Sequence, residues 1–111
     1  MRPALCVSLA VCLLAVGCGG GGPGPAPVAT VTLRQTLYTP ADLSLKVGDA
    51  VEWVWADGNV PHNIDGASDL SDFDSGTPTT TGTWRYRFGK AGTYSYHCDV
   101  HPQMMGTVVV S

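Results

Sequence analysis

Cys98, His101 and Met104 stand at three-residue steps within Tyr96-His97-Cys98-Asp99-Val100-His101-Pro102-Gln103-Met104-Met105-Gly106, close to the end of a 111-residue chain. A second imidazole, His62, lies 36 positions before the cysteine in Val60-Pro61-His62-Asn63-Ile64. A thiolate, two imidazoles and a thioether are donors of graded softness. Together they make the ligand set of a mononuclear blue-copper centre, whose redox behaviour is tuned by the weak axial donor. The expected cofactor is one copper ion cycling between Cu(I) and Cu(II), and the expected metal ligands are His62, Cys98, His101 and Met104.

Other chemistries fit these residues less well. Zinc accepts Cys and His, but a catalytic zinc that carries water has no use for Met104. A copper store or carrier offers exposed clusters of methionine or cysteine, and here only Met104 and Met105 stand together. A multicopper enzyme needs more ligands than three histidines can supply when two are already engaged. An inert buried thiol would be the plain reading of Cys98 if no histidine stood near it.

A frame of strands must position these side chains. After Val28 no helical period persists, and short alternating runs are broken by turn residues, the pattern of an antiparallel sandwich or barrel. Residues 28–33, 43–47, 51–55, 83–88, 93–98 and 105–110 read as strands. Val51, Trp53 and Trp55 share one face, opposite Glu52 and Val54. Trp84, Tyr86 and Phe88 likewise oppose Arg85 and Arg87. Tyr94, Tyr96 and Cys98 lie on a common face, so a cysteine at the strand's end points into the core. His97 then faces outward as a surface histidine. Residues 65–80 are the least regular, with room for a very short helix but no signal that fixes its bounds. Seven or eight strands suffice for two packed sheets.

The run from Gly92 to Val110, with Gly-Thr-Tyr-Ser-Tyr-His-Cys, His-Pro-Gln-Met and Gly-Thr-Val-Val-Val in order, resembles the small blue-copper cupredoxins of the plastocyanin and amicyanin type. Pro61-His62-Asn63 and residues 43–49 extend the likeness over most of the chain after Val28. The two-residue gap between His101 and Met104 is the amicyanin length. This resemblance implies an all-β, Greek-key two-sheet β-sandwich of the cupredoxin kind. It implies that His62, Cys98 and His101 are strong equatorial ligands and Met104 the long axial one. Met105 is the rival, but the family's methionine is followed by one residue and then glycine, as Met104 is. Asn63 would tie the histidine segment to the cysteine loop, and Pro61 and Asn63 would flank the ligands. The edge of His101 would lie in an apolar patch rimmed by Pro61, Pro102 and Met105, where redox proteins dock transiently. The implied role is electron transfer by a monomeric carrier that is not an enzyme.

The start of the chain reads as an address. Arg2 precedes an apolar stretch of thirteen residues, Ala4 to Val16, which is shorter than the ~20 a membrane-spanning helix needs and fits an export signal. Leu14-Ala15-Val16-Gly17-Cys18 resembles a bacterial lipoprotein cleavage box, with an ordinary signal peptide or a retained anchor as alternatives. The expected division is a signal over 1–17, a lipidated Cys18 with a Gly/Pro tether over 18–27, and a copper domain over 28–111. Cys6 and Cys12 would leave with the signal, and Cys98 would be the one cysteine of the domain. That places the domain at a bacterial membrane, in the periplasm or at the cell exterior, held by lipid alone. The whole chain carries a net charge of −3 and no basic run, so nucleic acid is not an expected partner. Asp65, Asp69, Asp72 and Asp74 gather in one segment, read as a solvated loop, with docking to a basic partner as the alternative.

Overall fold

A computed structural model describes residues 26–66 and 70–111. The expected signal, Cys18, most of the tether, and Asp69 lie outside the described residues. Among the described residues eight strands occur in chain order: β1 (Ala29–Arg34), β2 (Leu37–Thr39), β3 (Asp42–Leu45), β4 (Ala50–Trp55), β5 (Asp65–Gly66), β6 (Thr83–Arg87), β7 (Gly92–His97) and β8 (Met105–Val110). They form two four-stranded sheets, β2-β1-β4-β6 and β3-β8-β7-β5.

Period-two alternation turns one row of each strand inward. In β4 this buries Val51, Trp53 and Trp55 and leaves Glu52 and Val54 half-buried. In β7 it buries Tyr94 and Tyr96, and Cys98 continues the row. Trp84 and Tyr86 of β6 are only half-buried, because they pack on the rim of the core while Phe88 fills it. Arg85 on the opposite face pairs with Glu52 at 3.3 Å.

The two-sheet sandwich stands, but its pairing is not wholly antiparallel. β1 runs parallel to β4, from Ala29 opposite Val51 to Leu33 opposite Trp55, and β3 runs parallel to β8. The chain leaves β1 for β2, crosses to the other sheet as β3, and returns in β4 heading as it did in β1. Alternation within a strand carries no information on its neighbour's direction. β3 also ends at Leu45, and Val47 is exposed rather than inward. The cause is a turn in which Lys46 N–H donates to the Asp49 carboxylate at 2.9 Å and Asp49 N–H donates to the Lys46 carbonyl at 3.0 Å.

Residues 65–80 hold no helix among those described. Their anchor is Phe73, fully buried, with its ring 5.9 Å from that of Trp53, 5.7 Å from Tyr96 and 5.2 Å from Phe88. Ile64 and Ser75 hold the segment's neck: Ile64 N–H donates to Ser75 Oγ and Ser75 N–H to the Ile64 carbonyl, each at 2.8 Å. An irregular stretch thereby supplies a ring that joins the aromatic side chains of β4, β6 and β7.

Candidate metal centre

Cys98 comes directly after the last residue of β7, and the strand's alternation aims its sulfur inward at 0% exposure. Backbone hydrogen bonds then close the loop on itself. Cys98 N–H donates to the Met104 carbonyl at 3.1 Å, and Met104 N–H donates to the His101 carbonyl at 2.8 Å. Three potential donors on so short a loop meet with little loss of chain entropy. His101 Nδ1 lies 3.7 Å from Cys98 Sγ. Met104 is buried in the same core cluster as Cys98, while Met105 is 61% exposed.

His62 comes from a segment outside the named strands, yet its backbone is held on every side. Its N–H donates to the Thr79 carbonyl at 2.9 Å, and Thr79 N–H returns to the His62 carbonyl at 3.0 Å. Trp55 Nε1–H donates to that same carbonyl at 2.7 Å, and the Tyr38 hydroxyl donates to the Asn63 carbonyl at 2.6 Å. The His62 ring is fully buried, with Nδ1 3.8 Å from Cys98 Sγ. One donor atom from each of His62, Cys98 and His101 thus lies within 4.8 Å of the others.

The far side of the His62 ring meets a carboxylate. Nε2 is 2.7 Å from Asp57 Oδ2. An ionised carboxylate only accepts, so Nε2 carries a proton, and in the neutral ring it is then Nδ1 that holds the lone pair facing the sulfur. The same carboxylate takes N–H groups from the β1–β2 turn, Gln35 to Oδ1 at 2.9 Å and Thr36 to Oδ2 at 3.0 Å. His62, first, and then these two amides hold the Asp57 carboxyl down at about 2, from an ordinary 3.8. Gln35 and Thr36 have φ of +55° and +58°, a left-handed backbone that non-glycine residues seldom adopt. Such positions cost of order 1–3 kcal/mol each and persist only where surrounding contacts fix them.

One buried thiol, two imidazole nitrogens turned toward it and a buried thioether suit a copper ion better than a hard cation. The thiol and the two imidazoles are already gathered, and Cys98, His62 and Met104 are shut off from water.

Residues 28–111 match the copper binding proteins of the plastocyanin/azurin family. The chain belongs to that family. Among its relatives, amicyanin of Paracoccus denitrificans is 37% identical over 83 residues, which is 72% of this chain and 63% of amicyanin. Amicyanin-alpha of Methylorubrum extorquens is 30% identical over 83 residues, covering 72% of this chain and 69% of the relative. This chain therefore spans a little under two thirds of the Paracoccus protein's length. Among solved structures, a reduced amicyanin variant superposes with a TM-score of 0.64 at 33% identity, covering 75% of this chain and 81% of that one. The purple cupredoxin of Nitrosopumilus maritimus gives 0.65 at 29% identity, covering 75% of this chain and 99% of that one.

Within this cupredoxin the remaining residues expected from the sequence have definite places. Asn63 is buried and linked to Asp99 on the cysteine loop, and its Nδ2 also donates to the Gly76 carbonyl at 3.1 Å. Pro61 is half-buried beside His62. His97 is not simply a solvated surface residue. Its Nε2 lies 3.3 Å from Asp99 and 3.7 Å from Asp65, with the ring about one-third exposed. Asp65 and Asp99 contact each other, which raises the Asp65 carboxyl and lowers that of Asp99. The acidic segment is dispersed accordingly: Asp65 joins His97 and Asp99, Asp72 accepts from the Tyr86 hydroxyl at 2.7 Å, and Asp74 accepts from Gly76 N–H at 2.7 Å. Asp57 carries no metal-site signal in the sequence, because Asp57-Gly58 reads as an ordinary turn and its partners at 35 and 36 are distant in the chain.

Proposed function

We propose that this chain is a type 1 (blue) copper electron-transfer protein, not an enzyme, with one copper ion held by His62, Cys98, His101 and Met104. The convergence of a buried thiol with two Nδ1 atoms inside 4.8 Å carries the reading. Copper supplies a one-electron couple, and the protein's part is to keep the donors where both oxidation states tolerate them. The interlocked His62 backbone and the hydrogen-bonded 98–104 loop serve that end, since a site that hardly moves adds little barrier to transfer. Burial of Cys98 also keeps the thiolate from oxidation and exchange.

Electrons enter and leave through the half-buried His101 edge. By the family likeness Pro61, Pro102 and Met105 rim it; Pro102 and Met105 are exposed, as are Val60 and Val100 beside the ligands in the chain. A small apolar surface of this kind suits brief docking of redox proteins to a monomer. The domain works at a bacterial envelope membrane, carried by a lipid on Cys18 and spaced from it by the Gly/Pro tether. The lipoprotein-like sequence ahead of Cys18 supports this placement, and the mass of the mature protein tests it by the presence or absence of acyl chains.

Addition of Cu(II) to the apoprotein tests the central reading. An intense band in the red that a mild reductant bleaches reversibly, and that Cys98→Ser abolishes, is the expected result. A colourless product would overturn it.

A further inference from the structure

We propose that Asp57 is a positioning residue that fixes the metal-binding tautomer of His62 and holds down the reduction potential of the centre. This rests on the copper reading above. The carboxylate reaches the Nε2 of a fully buried ring at 2.7 Å, on the side away from Cys98. Accepting that proton leaves Nδ1 free and makes it a stronger donor, as a carboxylate behind a ligating histidine does at other metal centres. A stronger nitrogen donor and a nearby negative charge both favour Cu(II) over Cu(I), so both lower the potential.

Asp57 is itself held in place. Its two oxygens take the Gln35 and Thr36 amides of the β1–β2 turn, with Oδ2 shared between Thr36 and His62. Both amides come from residues with positive φ. The turn thus aims two N–H groups at one carboxylate, and the carboxylate aims at the ring. A carboxylate serving the turn alone would have no need to reach the imidazole.

The test compares wild type, Asp57→Asn and Asp57→Glu after loading with copper. The blue band of the wild type checks the copper reading on its own, whatever the potentials of the variants. With Asp57→Asn, Cu(II) affinity is expected to fall about tenfold more than Cu(I) affinity, at the lower end of outer-shell effects. For one electron that is a rise of about 59 mV in potential. Asp57→Glu should recover part of the shift. Nitrogen NMR of the wild-type apoprotein should find His62 protonated at Nε2 and bare at Nδ1, a measurement that stands even if Asp57→Asn fails to fold. An unmoved potential in a folded Asp57→Asn variant, or a proton on Nδ1 in the wild type, would overturn the proposal.

Discussion

Asn63 and Asp99 are joined in both directions across the site: Asn63 Nδ2 donates to Asp99 Oδ2 at 2.9 Å, and Asp99 N–H donates to Asn63 Oδ1 at 2.8 Å. Each residue is the immediate neighbour of a site donor, His62 on one side and Cys98 on the other. The pair therefore locks the distance between segments that lie 36 residues apart in the chain.

Replacing Asn63 with Ala removes both of these bonds and the one to the Gly76 carbonyl, and leaves the Asp99 amide without its acceptor. Orphaned polar groups of this sort cost about 1–3 kcal/mol. Urea unfolding of the apoprotein should register that loss. Copper should also be released faster to a competing chelator, because the two halves of the site are no longer tied. Unchanged release kinetics would mean the link serves stability alone.

Met104 and Met105 differ in burial enough to separate their roles. Met104 is 1% exposed within the core cluster that includes Cys98, and Met105 faces solvent. Met104→Gln should keep copper bound and lower the potential, because an amide oxygen is a harder donor that favours Cu(II). Met105→Gln should leave the potential where it was and act, if anywhere, on the rate with a docking partner. Voltammetry of the two variants decides the assignment.

Two buried phenols predict where the fold fails in alkali. Burial pushes the Tyr96 hydroxyl from an ordinary 10.0 up to about 12. Burial first, and then the charge of Cys98, pushes Tyr38 well above its ordinary range. A raised folded value stabilises the protein fully below the unfolded value and less and less as pH climbs through the folded one. Stability should therefore hold up to about pH 10 and then decline toward pH 12, by about 1.4 kcal/mol per unit for each phenol. Denaturant midpoints measured across that range, with phenolate absorbance recorded in parallel, check the sign and the window.

Gly106 begins the last strand's buried row beneath the Tyr96 ring, and a Cβ there would overlap the phenol. Gly106→Ala must push the ring or the strand aside, at a cost of about 1–3 kcal/mol by analogy with overpacked cores. Because Tyr96 stands two residues before Cys98, the shift should also alter the shape of the blue band. A variant of full stability would contradict this packing.

Much of the centre could be read from residue order because its parts are local. The Tyr94, Tyr96, Cys98 row comes from strand alternation, and three of the four expected donors sit on one short loop. The inward faces of β4 and β7 were legible for the same reason. Parallel pairing of β1 with β4 was not, since direction depends on how the chain crosses between sheets. Phe73 was hidden too, because its segment has no period, and its burial comes from the rings of other strands. Asp57 has no sequence signal on similar grounds: its partners at 35, 36 and 62 are brought together only by the closed sandwich.

The β1–β2 turn offers the last test, because it separates strain from function. Thr36 is β-branched and sits at φ +58°, where its side chain crowds the backbone. Thr36→Gly relieves that crowding yet keeps the N–H that Asp57 accepts. The relief of about 1–2 kcal/mol is partly offset by the greater freedom of glycine in the unfolded chain, about 0.5–1 kcal/mol. A gain of about 0.5–1 kcal/mol in the apoprotein is expected, with the copper potential unmoved because the carboxylate stays in place. A potential that shifts with the turn, while Asp57 and His62 are intact, would mean the backbone conformation itself tunes the centre.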